Sequence, residues 1–403
     1  MFKPKAVYIV DPGLIEAGGH YHTQDLSIAR ECQKRDIPVT IYCRCGANLG
    51  ASEISVAEIF RFDVFIERPP ENPDFCVFEN YFVVNRAFLQ DLNLIPTENF
   101  SPDDLVYFPG LTQNQIEAVA DWVTSIPASK RPHIAITLRF LNSRMHYNLN
   151  RGFAPAIEFL YRHVLAKLLE RHPKTHLYSD TLVLSRSYNG MSGIPVITLP
   201  IPQLEFHPEF VRKSPPNKTE LNILHIGNVS PYRGYNFIPS IIESVLSEFP
   251  NVRFTVQVKT DPESEAARTM VAIPESYASC VQFLFGTLSP DEYVNTMQAA
   301  DIVLLPYMPS YYSFGSSGVF TEAAAMGKVL VVTAGTTMET TITSFDLGAV
   351  IAPEYTAEAF AAALKAAVGN FIALEQKADA SYIRFSHENS PEGFLDRMFS
   401  CIG

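Results

Sequence analysis

Residues 311–333 run Tyr-Tyr-Ser-Phe-Gly-Ser-Ser-Gly-Val-Phe-Thr-Glu-Ala-Ala-Ala-Met-Gly-Lys-Val-Leu-Val-Val-Thr. The pattern is a small-residue loop that opens a helix, a glycine that ends it and an apolar strand. Ser316, Ser317 and Gly318 fall where the first helical turn begins. Backbone N–H groups are unpaired there and lie at the positive end of the helix dipole, and little side-chain bulk stands in the way, so a phosphate fits. Glu322 follows one turn further in, on the face that follows Gly318. A carboxylate at that place can accept hydrogen bonds from ribose hydroxyls beside bound phosphates. The same stretch also fits an ordinary strand–loop–helix unit whose serines are only caps.

Three further groups could do chemistry. Residues 139–151 carry Arg139, Arg144, Arg151 and His146 just after a strand's carboxyl end, where open α/β sheets place ligand groups. They suit an anionic substrate, or simply form a solvated loop. Gly18 and Gly19, with His20 beside them, would let backbone approach a ligand, or form a flexible surface loop. Cys43 and Cys45 with His20 and His22 could in principle bind zinc, but neither spacing is a usual structural-zinc pattern, so no metal is expected.

The elements that must position these groups alternate between strand and helix. Ala6 to Val10 reads as a buried strand, Thr23 caps a helix to about Arg35, and Ile37 to Tyr42 is a second strand. This opening is Rossmann-like but lacks Gly-x-Gly-x-x-Gly, which argues against a dinucleotide dehydrogenase. Strands follow at 105–108 and 133–138 with a helix at 113–125 between them, then a helix at 159–169 and a strand at 196–200. A proline-rich stretch, residues 201–220, reads as a linker. A second series then places strands at 222–226, 252–258, 281–285, 302–306 and 329–332. Its helix after residue 234 carries Phe237, Ile241, Ile242, Val245, Leu246 and Phe249 at helical spacing, with Pro239 in the first turn. Such alternation implies a second doubly wound parallel sheet.

At 403 residues, 47% apolar and 18% charged, the chain has core enough for two domains. A formal charge of −12 argues against nucleic acid as the main partner. The first apolar run is cut short by Asp11, Pro12 and Gly13, so it reads as a strand and not a signal peptide. With no run near the roughly 18 residues a membrane helix needs, the expectation is a cytoplasmic protein, peripheral at most at the inner membrane face. The six cysteines are scattered and read as reduced thiols.

Two Rossmann-like halves, the second with a phosphate-type loop and an internal carboxylate, resemble the GT-B glycosyltransferases, most closely the large retaining family 4 (glycosyl transferases group 1). The resemblance covers most of the chain and is strongest from Leu224 to about Pro353. In that family a strand leads into Gly-Arg-Leu-x-x-x-Lys-Gly, whose Arg and Lys grip the donor diphosphate. Here the segment is Gly227-Asn228-Val229-Ser230-Pro231-Tyr232-Arg233-Gly234. Arg233 falls at the lysine position, keeping the charge and adding a bidentate fork. Asn228 falls at the arginine position and loses a charge, so diphosphate binding is weaker or is completed from elsewhere. The second signature has two glutamates, the latter inside Glu-Ala-Met-Ala-x-Gly-x-Pro-Val-Val, which Glu322 and its followers match. Phe314 holds the place of the first, which normally sits near the donor sugar. Gly335 to Glu339 resembles the short loop that follows, and Gly18 and Gly19 match the family's glycine-rich loop. Arg139 stands where many members carry a histidine.

The resemblance implies an α/β GT-B fold, two Rossmann-like doubly wound parallel-sheet domains facing an interdomain cleft. Residues 1–200 would be the acceptor side, 201–220 the linker, 221–385 the nucleotide-sugar donor domain and 386–403 a closing helix crossing back to the first domain. It implies hexosyl transfer from a nucleoside-diphosphate sugar to a glycan, lipid-linked or protein acceptor, with retention, most commonly in bacterial polysaccharide biosynthesis. Gly227, Asn228, Arg233, Gly286, Phe314, Gly315, Ser316, Ser317, Gly318 and Glu322 would bind the donor, with Arg233 and Glu322 in the catalytic roles. Gly18, Gly19, His20, Arg139 and Arg144 would lie on the acceptor side. No cofactor beyond the nucleotide-sugar co-substrate and no metal is required, since Arg233 and the helix dipole can stabilise the leaving diphosphate. Phe314 and Asn228 also leave room for a GT-B-like protein that binds glycan or nucleotide without catalysis. A sugar-nucleotide epimerase or phosphorylase is less favoured, for want of a lysine-centred cofactor motif or an acid pair placed for epimerisation.

Overall fold

The apolar runs become the strands of two all-parallel sheets, one in each of two units. The computed structural model describes residues 2–16, 20–49, 53–62, 73–138, 147–148, 152–153, 155–202, 220–261 and 263–403. One unit takes Met1–Glu205 together with Ser390–Gly403, the other Phe206–Asn389.

The first unit runs β1 (Val7–Val10), α1 (His20–Lys34), β2 (Val39–Arg44), β3 (Ser55–Phe60), α2 (Pro73–Leu92), β4 (Leu105–Leu111), α3 (Gln113–Ser125) and β5 (His133–Leu138). After the two-residue hairpin β6 (Tyr147–Asn148) and β7 (Gly152–Phe153) come α4 (Pro155–Arg171), β8 (Thr175–Ser179), α5 (Leu182–Ser192) and β9 (Ile197–Thr198). The sheet order is β3-β2-β1-β4-β5-β8-β9, so the winding reverses between β1 and β4. Every residue of β4 is buried, as expected of a parallel strand covered on both faces. Thr112 opens α3 with a capping box, its side chain and that of Gln115 satisfying each other's backbone N–H groups.

The second unit runs β10 (Leu221–His225), α6 (Ile238–Leu246), β11 (Val252–Val258), α7 (Glu265–Met270), β12 (Val281–Phe285), α8 (Pro290–Ala299) and β13 (Ile302–Leu305). It continues with α9 (Pro309–Tyr312), α10 (Gly318–Ala325), β14 (Val329–Thr333), α11 (Thr337–Phe345), β15 (Ala349–Ala352), α12 (Ala357–Gly369) and α13 (Phe371–Glu388). The order β12-β11-β10-β13-β14-β15 puts its reversal between β10 and β13. At such a switch point the two flanking loops diverge and leave a crevice beyond the carboxyl ends of the strands. The loops that leave β10 and β13 are the two that carry the sequence signatures. Helix α6 turns Ile238, Ile241, Ile242, Val245 and Leu246 inward, the face its spacing anticipates.

The last helix, α14 (Pro391–Ile402), belongs to the first unit. Phe394, Leu395, Met398 and Phe399 enter the core with Val7, Ile9 and Ile28, and Arg35 Nη1 donates to Asp396 Oδ1 at 2.7 Å. Burying an aromatic ring such as Phe394 contributes about 2–3 kcal/mol.

One boundary differs from the sequence reading. Helix α1 starts at His20 and not after Thr23, and the His22 ring in its first turn bonds the Leu49 carbonyl, beyond β2, at 3.1 Å. Among the described residues no single helix is long and apolar enough to cross a membrane.

Candidate nucleotide-binding site

The loop leaving β10 is shaped by two glycines. Gly227 has φ +124°, and a Cβ there would lie 2.5 Å from Arg233 Nη1, so only glycine lets the guanidinium settle against the loop. Gly234 closes the turn at φ +66°, where a Cβ would meet the Pro306 carbonyl at 2.4 Å. Between them Ser230 caps the 3-10 turn Pro231–Arg233, its hydroxyl accepting from the Tyr232 N–H. Arg233 Nε donates to the Tyr312 hydroxyl at 3.1 Å, and its Cζ lies 5.5 Å from the centre of the Tyr307 ring, a cation–π contact.

The glutamine of β11 ties this loop to the next one. Gly227 N–H donates to Gln257 Oε1 at 3.0 Å, and Gln257 Nε2 donates to the Gly286 carbonyl at 2.8 Å. Asn228, at an exposed position, pairs its backbone with Lys259 just beyond β11. Behind the loop His225 is buried, and burial pulls its pKa down to about 4, helped by the Arg233 charge and opposed by the Leu304 carbonyl. It is neutral at physiological pH.

The loop leaving β13 delivers the other signature. Ser317 is the N-cap of α10, its hydroxyl accepting from the Phe320 N–H at 3.2 Å, so the amides at Gly318 and Val319 head the helix as donors without an intrahelical acceptor. Thr337 Oγ1 donates to the Gly315 carbonyl at 2.7 Å and braces the loop from α11. Ser316 is exposed, whereas the Phe314 side chain is buried. Past the following strand, Gly335 N–H donates to Glu339 Oε2 at 2.7 Å.

Glu322 is largely withdrawn from solvent, and Tyr293 of α8 donates its hydroxyl to Glu322 Oε2. Burial pushes the carboxyl up and the Tyr293 bond opposes it, which leaves the group at about 7. Tyr307, fully buried, links the two loops: Arg233, Tyr312, Ser317 and Glu322 all act on its hydroxyl, which burial pushes up to about 12. Arg233, Ser317 and Glu322 are therefore gathered round one phenol at the switch point. Gly286 joins through Gln257, and Phe314 is turned into the core.

Of the residues expected to face an acceptor, Gly18, Gly19, Arg139 and Arg144 lie outside the described residues, and His20 opens α1. Among the described residues Cys43, Cys45 and His22 form no metal-ligand group, and burial pushes the Cys43 thiol up to about 12.

Sequence reasoning missed Tyr293, Tyr307, Tyr312 and Gln257. Gln257 carried a signal, a lone amide inside the buried strand Val256-Gln257-Val258, and the density of tyrosines from 307 to 312 was another. Nothing in the sequence connected Tyr293 to Glu322.

Residues 220–370 match the family described as Glycosyl transferases group 1. None of the curated proteins compared matches the chain. Among solved structures, a glycosyltransferase from Rickettsia africae superposes with TM-score 0.63 at 11% identity, covering 99% of this chain and 98% of that one. The UDP-forming trehalose-phosphate synthase from Burkholderia xenovorans gives 0.64 at 13% identity, covering 99% and 98%. Anabaena HepE, in complex with UDP and glucose, gives 0.59 at 12% identity, covering 99% of each chain. At such identities the likeness establishes the fold alone: the chain has the GT-B fold, and the family match lies within its second unit.

Proposed function

We propose that the protein is a glycosyltransferase that takes a sugar from a nucleoside-diphosphate donor held by the second unit. The observation that carries this reading is the gathering of Arg233, the head of α10 and Glu322 round Tyr307. A cation and helix N–H donors stand there beside a carboxylate, the set a diphosphate joined to a ribose calls for. The diphosphate would lie on Arg233 and the amides at Ser316, Ser317 and Gly318, the ribose on Glu322 and the base near Gly286. Lys259, whose backbone pairs with Asn228, would bring the positive charge that Asn228 lacks.

In the transfer the bond from the anomeric carbon to the diphosphate oxygen breaks, and its electron pair leaves on that oxygen. Arg233 and the positive end of α10 stabilise the charge that develops, and the oxygen of an acceptor hydroxyl forms the new bond to the anomeric carbon as its proton passes to the leaving diphosphate. Retention, a glycan or lipid-linked acceptor and a cytoplasmic setting are carried over from the family resemblance. The acceptor is assigned to the first unit. UDP, bound in the Anabaena structure, is the first nucleotide to try.

The test is thermal stabilisation by UDP, GDP and ADP and their glucose or mannose conjugates, in the wild type and in Glu322→Ala and Arg233→Ala. One nucleotide should raise Tm in the wild type and fail to do so in both variants. Equal affinity in all three proteins by calorimetry would sink the site. The burial of Phe314 where the family has a carboxylate favours one second reading, a binder that does no chemistry. Such a protein would be stabilised by the nucleotide yet release no nucleoside diphosphate from any donor and acceptor mixture.

A further inference from the structure

The hydrogen bond between Tyr293 and Glu322 joins two helices, α8 and α10, and the donor reading above makes no use of it. Its geometry divides the carboxyl group. Oε2 is taken by the phenol, while ribose hydroxyls would reach the group from its other side. A neutral carboxylic acid offers them a poorer acceptor than a carboxylate does. We propose that Tyr293 positions Glu322 for the ribose and that the pair makes donor binding release a proton to solvent. The inference rests on the donor reading and adds to it a residue and a coupled proton.

The surroundings agree. Glu322 is faced by Tyr293 from α8 and by Tyr307 from the segment after β13, while Arg233, from the loop after β10, acts on both phenols. Helix α13 meets α10 through Phe385 against Phe320 and through Ser386 on the Ala325 carbonyl, and β14 presents only Val, Leu and Thr. Burial therefore favours the protonated acid and the Tyr293 hydroxyl opposes it, with the balance at about 7. Burial, then the Glu322 charge, hold the Tyr293 hydroxyl far above the physiological range, so it stays a donor. Ribose hydroxyls, which donate as well, would select the carboxylate; the acid proton then leaves to water or buffer as the donor binds.

The experiment measures affinity by calorimetry from about pH 5.5 to about pH 8.5 with UDP-glucose, GDP-mannose and ADP-glucose, whose diphosphate diesters do not titrate in that window. Wild-type affinity should climb with pH and level above about 7, and the heat should change with the ionisation enthalpy of the buffer. Tyr293→Phe removes only the hydroxyl. Its midpoint should move up by about one pH unit, leaving affinity about fivefold weaker at pH 7 and about tenfold weaker near pH 5.5, with the gap closing at higher pH. Glu322→Gln should abolish the pH step. A wild type whose affinity is flat with pH overturns the coupling. A Tyr293→Phe variant weaker by the same factor at every pH, or not weaker at all, overturns the role of Tyr293. A wild type that binds none of the three sugar nucleotides overturns the donor reading itself, and this inference with it.

Discussion

Replacing Glu322 by glutamine should stabilise the empty protein while it weakens the site. The carboxyl ordinarily titrates at 4.5 and is pushed to about 7 here, chiefly by burial. Below about pH 4.5 it is neutral in both the folded and the unfolded chain, and glutamine changes little. Between about 4.5 and about 7 the unfolded chain gives up the proton and the folded one keeps it, so the unfolded state binds fewer protons and stability falls as pH rises. Above about 7 both are ionised and the cost is complete. The gap, 7 − 4.5 = 2.5 pH units at 1.36 kcal/mol each, comes to about 3 kcal/mol. Glutamine carries no charge, keeps the shape and can still accept from Tyr293 through its carbonyl. At pH 8 the variant should be about 3 kcal/mol more stable than wild type, which for a unit of this size raises Tm by roughly 6–12 °C. At pH 5 the two should agree within about 1 kcal/mol. Calorimetric melts without nucleotide, taken across this range, supply the comparison. A variant no more stable at pH 8, or stabilised equally at every pH, would refute the claim that Glu322 is ionised at a cost in the folded protein.

Two further substitutions test how the loops hold the donor. Gly227→Ala places a Cβ 2.5 Å from Arg233 Nη1 on a backbone at φ +124°, so the guanidinium must leave its seat. The unit should lose about 1–3 kcal/mol and bind the sugar nucleotide at least about tenfold more weakly, by denaturation and calorimetry; unchanged affinity would mean the Arg233 position is irrelevant to the ligand. Lys259→Ala should weaken donor binding by about tenfold, and adding Asn228→Arg in that background should restore it, because the two backbones are paired. Failure of the second change to rescue the first would place Lys259 outside the phosphate site.

Much of the second unit was legible in the sequence because its strands are covered on both faces. Such strands are continuous apolar runs, and Ile302–Leu305 and Val329–Thr333, buried at every position, are observed within a residue of the bounds their composition suggests. The first unit was harder for three local reasons. Strand β3, Ser55–Phe60, lies at the sheet edge with much of its surface exposed, so its composition is mixed. Strand β8, Thr175–Ser179, reads as a polar loop because threonine, histidine, tyrosine and serine fill four of its five positions. Helix α2, Pro73–Leu92, keeps Phe78, Phe82 and Val83 exposed, which blurs its period. In the second unit α13 escaped notice because it follows α12 after a single residue, at a bend of 83° that no proline marks.

The site divides along a physical line. Its backbone was legible, since a loop that must pass a guanidinium or a carbonyl at close range can be built only with glycine, and Gly227 and Gly234 announce that need in the chain itself. Its side-chain supports were not, because Tyr312 meets Arg233 across 79 residues, Tyr293 meets Glu322 across 29 and Gln257 meets Gly227 across 30. What those supports have in common is that none is charged. Neither Arg233 nor Glu322 joins an ion pair among the described residues. A carboxylate on Arg233 would orient it as well as Tyr312 does, but would also cancel the field a diphosphate must feel. A lysine on Glu322 would hold it ionised and compete for the oxygen the ribose needs. Phenol and amide partners orient a charged group without neutralising it. That arrangement suits a site whose charges await a ligand, and it leaves the burial of Glu322 only partly offset, by Tyr293, until the ligand arrives.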